Sequence, residues 1–120
     1  MEPLHLEGTD FTPDVRLDRN KGILLISGRS LIGNANEHYK PVLTWINEYA
    51  KQADVPAEFM FSMEYFNTES EKVFLEIFSI LATVQGIKII WHYPAGNHDV
   101  LHAGQVLAEL VDIPFEFKSH

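Results

Sequence analysis

A chain of 120 residues, 46% hydrophobic and 22% charged, has the composition of one globular domain able to bury a core without staples. Seventeen acidic residues against nine basic ones give a formal net charge of −8, which opposes binding to a nucleic-acid backbone or an anionic membrane. Cysteine is absent, excluding disulfides, thiolate metal sites and thiol nucleophiles; with no membrane-length apolar run and no signal-peptide character in Met1-Glu2-Pro3, a cytoplasmic domain is expected.

Leu4 to Glu7 and Val15 to Asp18 read as short strands. Asn20-Lys21-Gly22 marks a hairpin turn, and the near-continuous Ile and Leu of Ile23 to Ser27 predict a strand covered on both faces. A helix follows from about Ala35 to Lys51, where Tyr39, Val42, Leu43, Ile46, Tyr49 and Ala50 recur at steps of three and four. Pro41 falls in its early turns, where a missing N–H costs least. Ala57 to Phe66 is a strand whose Phe59, Phe61, Met63 and Tyr65 alternate with more polar residues, an alternation broken by Met60 and Phe66. A second helix, about Glu69 to Val84, carries Val73, Phe74, Ile77, Phe78, Leu81 and Val84 on one stripe and stops at Gly86. Ile87 to Tyr93 is a buried strand, about His98 to Leu110 a third helix presenting Leu101, Leu107 and Leu110. Ile113 to Phe117 is a last strand that Pro114 pushes to a sheet edge.

Strands alternating with helices predict an α/β domain with a mixed, mostly parallel sheet and about three helices mainly on one face. Crossovers of this kind bring the loop after Ser27, the turn at Asn67-Thr68 and the loop after Tyr93 to one sheet edge, the usual place for a site. Thr68 followed by Glu71 matches a capping box, in which the threonine oxygen accepts from the amide of residue 71. The same hydroxyl, at a helix start on an exposed rim, is a candidate phosphoacceptor. Phosphate there adds roughly −1.5 to −2 charges, welcomed by the helix dipole and opposed by Glu69 and Glu71. Ser70 is a second, lesser acceptor. Arg29, at the end of a neighbouring strand, is a candidate contact for phosphate or a partner carboxylate. Trp45, one step off its helix stripe, is a candidate interface residue, whereas Trp91 reads as core.

His98 and His102 stand at i and i+4, a metal-ligand spacing, so a small metal-dependent hydrolase is the rival from another class; no third ligand follows at a suitable spacing. No nucleophile elbow and no Gly-rich phosphate loop occur, and nothing in the chain calls for a cofactor. A constitutive adaptor in which Thr68 only caps a helix is the third reading.

Ser27-Gly28-Arg29-Ser30, the run from Glu37-His38-Tyr39-Lys40 through Thr44-Trp45-Ile46, Glu64-Tyr65-Phe66-Asn67-Thr68 and Trp91-His92-Tyr93 occur in that order, before an Ile113-Pro114-Phe115 ending. With these spacings the chain resembles the SiaC family of bacterial regulatory phosphoproteins over nearly its whole length. The resemblance implies a STAS-like fold and partner switching without enzymatic activity. It further implies phosphorylation of the turn threonine by a cognate kinase and its removal by a metal-dependent Ser/Thr phosphatase. In the unmodified form, binding and activation of a diguanylate cyclase are implied, linking the protein to cyclic-di-GMP and biofilm control. The matching acceptor is Thr68, with Asn67, Glu69, Ser70, Arg29 and Trp45 as partner-binding candidates; Glu69 departs from the family turn, which has serine there.

Overall fold

The computed structural model describes residues 1–53 and 56–120. Ten elements follow one another: β1 (Leu4–Leu6), β2 (Asp14–Asp18), β3 (Ile23–Ser30), α1 (Ala35–His38), α2 (Lys40–Gln52), β4 (Ala57–Phe66), α3 (Thr68–Leu81), β5 (Ile87–Tyr93), α4 (His98–Leu110) and β6 (Phe115–Ser119). The strands form a six-stranded sheet in sequential order, β1-β2-β3-β4-β5-β6. β1-β2 and β2-β3 are antiparallel, and the three pairs from β3 to β6 are parallel. The mixed, mostly parallel sheet is thus as expected.

Each parallel step moves one strand further in the same direction, so right-handed crossovers must deliver every helix to the same face. The contacts agree. Phe61 of β4 packs edge-on against Phe74 and Phe78 of α3 and stacks on Trp91 of β5, whose indole N–H donates to Val100 O of α4 at 3.0 Å. Gly104 sits against that indole, where a Cβ would come within 2.6 Å of three ring atoms. The core therefore lies between the sheet and its helices, and the opposite face stays open. There Ile23 and Met60 are exposed and Leu25 is half-buried, correcting the expectation of a β3 covered on both sides.

Three local departures have physical causes. The expected first helix breaks at Tyr39 into α1 and α2, with Pro41 in the first turn of α2, so four helices are seen among the described residues rather than three. The buried stripe of α2 is Val42, Trp45, Ile46 and Tyr49, with Leu43 and Ala50 only half-buried, which puts Trp45 on it. In β4, a register shift opposite Gly28 and Arg29 ends the alternation early. Phe59, Phe61 and Met63 face the helices, Tyr65 turns out to solvent, and Phe66 turns in to meet Phe74 and Trp91. Gly28, at φ 106, supplies the backbone conformation the shift needs. Finally, α4 buries Val100, Gly104 and Leu107 while Leu110 is exposed, and β6 begins two residues later than expected, just after Pro114.

Candidate functional site

The C-terminal ends of β3, β4 and β5 meet at one rim, as the alternation of strands and helices implies. At its centre β4 passes into α3 with a single intervening residue, Asn67, and that residue is the cap. Its Oδ1 accepts from the Ser70 amide at 2.9 Å, its Nδ2 donates to Ile32 O at 3.0 Å, and its own N–H donates to Ser30 O at 3.0 Å. One side chain thus satisfies an orphan helix amide and ties the helix start to the segment after β3. This corrects the capping-box reading. The cap lies one residue earlier, Thr68 is the first helical residue, and the amide of Glu71 donates to Asn67 O as the first helical hydrogen bond.

The displacement leaves the Thr68 side chain exposed, with no hydrogen bond to its hydroxyl among the described residues. Glu69 is exposed beside it and pairs with Lys72 at 3.4 Å. Ser70 differs altogether. It is 0% exposed, and its Oγ lies 2.6 Å from Ser30 Oγ and donates to Ser30 O at 2.9 Å. Its expected roles as second acceptor and surface contact are therefore corrected: the hydroxyl belongs to the interior.

Ser30 Oγ also lies 2.7 Å from the Tyr39 hydroxyl, forming a buried chain of three hydroxyls joining β3, α3 and the junction of α1 with α2. With one proton each, the ordering that satisfies every contact is Tyr39 donating to Ser30 Oγ, Ser30 to Ser70 Oγ, and Ser70 to Ser30 O. Burial pushes the Tyr39 phenol well above its ordinary value, only partly countered by the bond to Ser30, so it remains a neutral hydroxyl. Sequence reasoning missed this network. Tyr39 stood on the helix stripe, but nothing local marks two serines 40 positions apart as partners.

Arg29 reaches the same rim on the open face. Its Nε donates to Glu64 Oε2 at 3.1 Å and its guanidinium lies 5.7 Å from the Tyr65 ring centre. Tyr65 is 58% exposed, an aromatic rim residue although the alternation of the strand set it on one face with Phe59, Phe61 and Met63. On the other flank, Glu71, Tyr65 and Phe66 line a shallow cleft with Asn97, His98 and Asp99 from the start of α4. Trp45 is not part of this constellation. It is 8% exposed, stacked on Tyr49, with its indole N–H donated to Glu2 O at 2.8 Å. His98 and His102 are exposed on α4, and among the described residues no group of three or more His, Cys, Asp or Glu side chains is assembled to hold a metal ion. No described helix is long and apolar enough to cross a membrane.

The model of the SiaC family regulatory phosphoproteins matches residues 6–120. A curated but uncharacterised protein of Pseudomonas aeruginosa strain UCBPP-PA14 is 29% identical over 124 residues, spanning 100% of this chain and 98% of its own length. Among solved structures, apo-SiaC from Pseudomonas aeruginosa superposes with a TM-score of 0.87 at 28% identity, covering 98% of this chain and 99% of that one. SiaC from the same organism, in a crystal structure of the diguanylate cyclase SiaD in complex with its activator SiaC, matches with a TM-score of 0.89 at 29% identity over 98% and 99% of the two chains. With nearly its whole length matched in sequence and in fold, the chain belongs to the SiaC family of regulatory phosphoproteins.

Proposed function

We propose that this protein is a non-enzymatic partner switch whose binding is gated by phosphorylation of Thr68, and that its unmodified form binds and activates a diguanylate cyclase. The observation that carries the reading is the exposed Thr68 side chain, in a family that includes an activator crystallised with its cyclase. Capping by Asn67 frees the hydroxyl from any structural duty, so a kinase can modify it without dismantling the helix start. A metal-dependent Ser/Thr phosphatase reverses the step.

Thr68 and Glu69 form the centre of the contact, with Asn67 holding the backbone beneath them and Arg29 and Tyr65 flanking it on the open face. Phosphate adds roughly −1.5 to −2 charges and three strong acceptors to this patch. A partner covering Thr68 then has to desolvate a dianion where it formerly met a hydroxyl.

The test uses purified protein and its cognate cyclase, found through the neighbouring genes. Unmodified protein and Thr68→Ala should bind and raise cyclic-di-GMP synthesis, whereas protein phosphorylated at Thr68 should bind at least about tenfold more weakly, equivalent to about 1.4 kcal/mol. Equal binding and activation by the phosphorylated and unmodified forms would sink the proposal.

A further inference from the structure

β6 closes one side of the sheet: it pairs with β5 and is the last strand in the order, so among the described residues its outer edge has no strand beside it. The direction of its backbone groups follows from two bonds. Pro114 O accepts from the Ile89 amide at 2.9 Å, and the His120 amide donates to Tyr93 O at 3.1 Å. Even-numbered residues thus turn their N–H and C=O towards β5. By the alternation of a strand, Phe115, Phe117 and Ser119 turn theirs outward.

An antiparallel copy of the same strand can satisfy those outward groups only when odd residues face odd residues. Three such two-fold registers keep most of the strand paired. Centring the axis on Glu116 sets Glu116 against itself, and centring it on Lys118 sets Lys118 against itself, each a like-charge pair directly opposite. Centring it on Phe117 sets Phe115 against Ser119 and Phe117 against Phe117. In that register each Glu116 faces the Lys118 of the other copy. Both charged side chains stand on the open sheet face and remain accessible, at 42% and 49% exposure, although Glu116 already accepts from Lys88 at 2.8 Å and lies 3.8 Å from Lys118 of its own strand. Phe117 stacks on Phe115 on the helix side and is half-buried, so a symmetry-related Phe117 would complete its cover. A lysine on an edge strand commonly discourages pairing; here the same strand carries the carboxylate that matches it.

We propose that β6 is a self-association edge, pairing antiparallel with β6 of a second copy about an axis at Phe117 and continuing the sheet across the dimer. This surface is separate from Thr68 and does not depend on the partner switch. A five-residue edge makes a weak, concentration-dependent dimer.

Sedimentation velocity of the full chain from micromolar to millimolar concentration should show reversible dimerisation; a monomer throughout overturns the proposal. Lys118→Glu and Glu116→Lys should each weaken the dimer about tenfold, since each places two like-charge pairs across the axis. An equimolar mixture of the two variants should dimerise at least as well as wild type, because every cross-strand pair is then opposite in sign. A mixture no better than either variant alone rules out this register. Thermal unfolding checks that Glu116→Lys, which sets an ammonium beside Lys88, remains folded. Should it not, Phe117→Cys gives an independent readout in a chain otherwise without cysteine. Hydrogen-bonded antiparallel pairs hold their Cα atoms about 5.5 Å apart, within reach of a disulfide. Oxidation should therefore yield a covalent dimer, and failure to cross-link where wild type dimerises refutes the axis at Phe117.

Discussion

Replacing Asn67 by alanine separates the cap from the candidate acceptor. The substitution removes the acceptor of the Ser70 amide at 2.9 Å and the donor to Ile32 O at 3.0 Å. Loss of an asparagine N-cap costs about 1 kcal/mol, and loss of a partly buried hydrogen bond about another 1 kcal/mol. The unfolding entropy of about 2.1 cal/mol/K per residue gives about 0.25 kcal/mol/K over 120 residues. A deficit of about 2 kcal/mol therefore lowers Tm by about 8 °C. Thr68→Ala removes a hydroxyl with no bond among the described residues, from an exposed first helical position where alanine is well tolerated, and should shift Tm by less than about 2 °C. Asn67→Asp keeps the cap acceptor but turns an oxygen towards Ile32 O, and should fall between the two. Thermal unfolding followed by circular dichroism, with urea titrations for ΔG, measures all three. If Thr68→Ala proves the more damaging, Thr68 is the cap after all and the assignment of the helix start is wrong.

Ser70→Ala should cost roughly 1–3 kcal/mol in urea unfolding, because it deprives the buried Ser30 hydroxyl of a partner; a neutral result would mean the three-hydroxyl chain contributes nothing. Tyr39 is neutral in the fold with its pKa raised above the ordinary value of 10.0, so the unfolded chain loses this proton at lower pH than the folded one. Its contribution is fully present below about pH 10 and falls away as pH rises towards the higher folded value. Tyr39→Phe should flatten this alkaline decline in stability, and an unchanged slope would count against it. Gly104→Ala should destabilise by roughly 1–3 kcal/mol, since its methyl group overlaps the Trp91 indole; wild-type stability would show that α4 can back away freely.

Much of this was legible because it is periodic. The alternation of β4, the stripe of α3 and the run of β5 are properties of neighbouring residues, and they place the turn at Asn67-Thr68 on the sheet rim without any tertiary information. What escaped were consequences of phase and of distance. A single register shift beside Gly28 exchanged Tyr65 and Phe66 between core and solvent, and an apolar count treats both alike. In α2 the apolar steps Val42, Ile46 and Tyr49 fit a stripe flanked either by Leu43 and Ala50 or by Trp45, and packing buries Trp45. Gly104 forms part of the buried face of α4 through the side chain it lacks. Ser70 looked like a surface serine in a polar turn because its partner, Ser30, comes from another strand.

The balance of charge at the rim constrains how the proposed switch would work. Glu64 is paired with Arg29 and Glu69 with Lys72, so of the three carboxylates around Thr68 two are already matched by cations. The net charge of −8 is a property of the whole chain and is not concentrated here. A partner docking on so nearly balanced a patch meets little long-range field, and it reads shape and hydrogen bonds at contact. Phosphate on Thr68 would then weaken binding by having to be desolvated under the partner, not by repelling it from afar. The two mechanisms separate on salt, because the screening length falls from about 8 Å at 0.15 M to about 3 Å at 1 M while groups in contact are screened far less. The ratio of affinities for unmodified and phosphorylated protein should therefore hold within about threefold across that range, or within about 0.7 kcal/mol. If the ratio collapses towards one at high salt, the switch is long-range repulsion, and the paired carboxylates do not neutralise the rim as their geometry suggests.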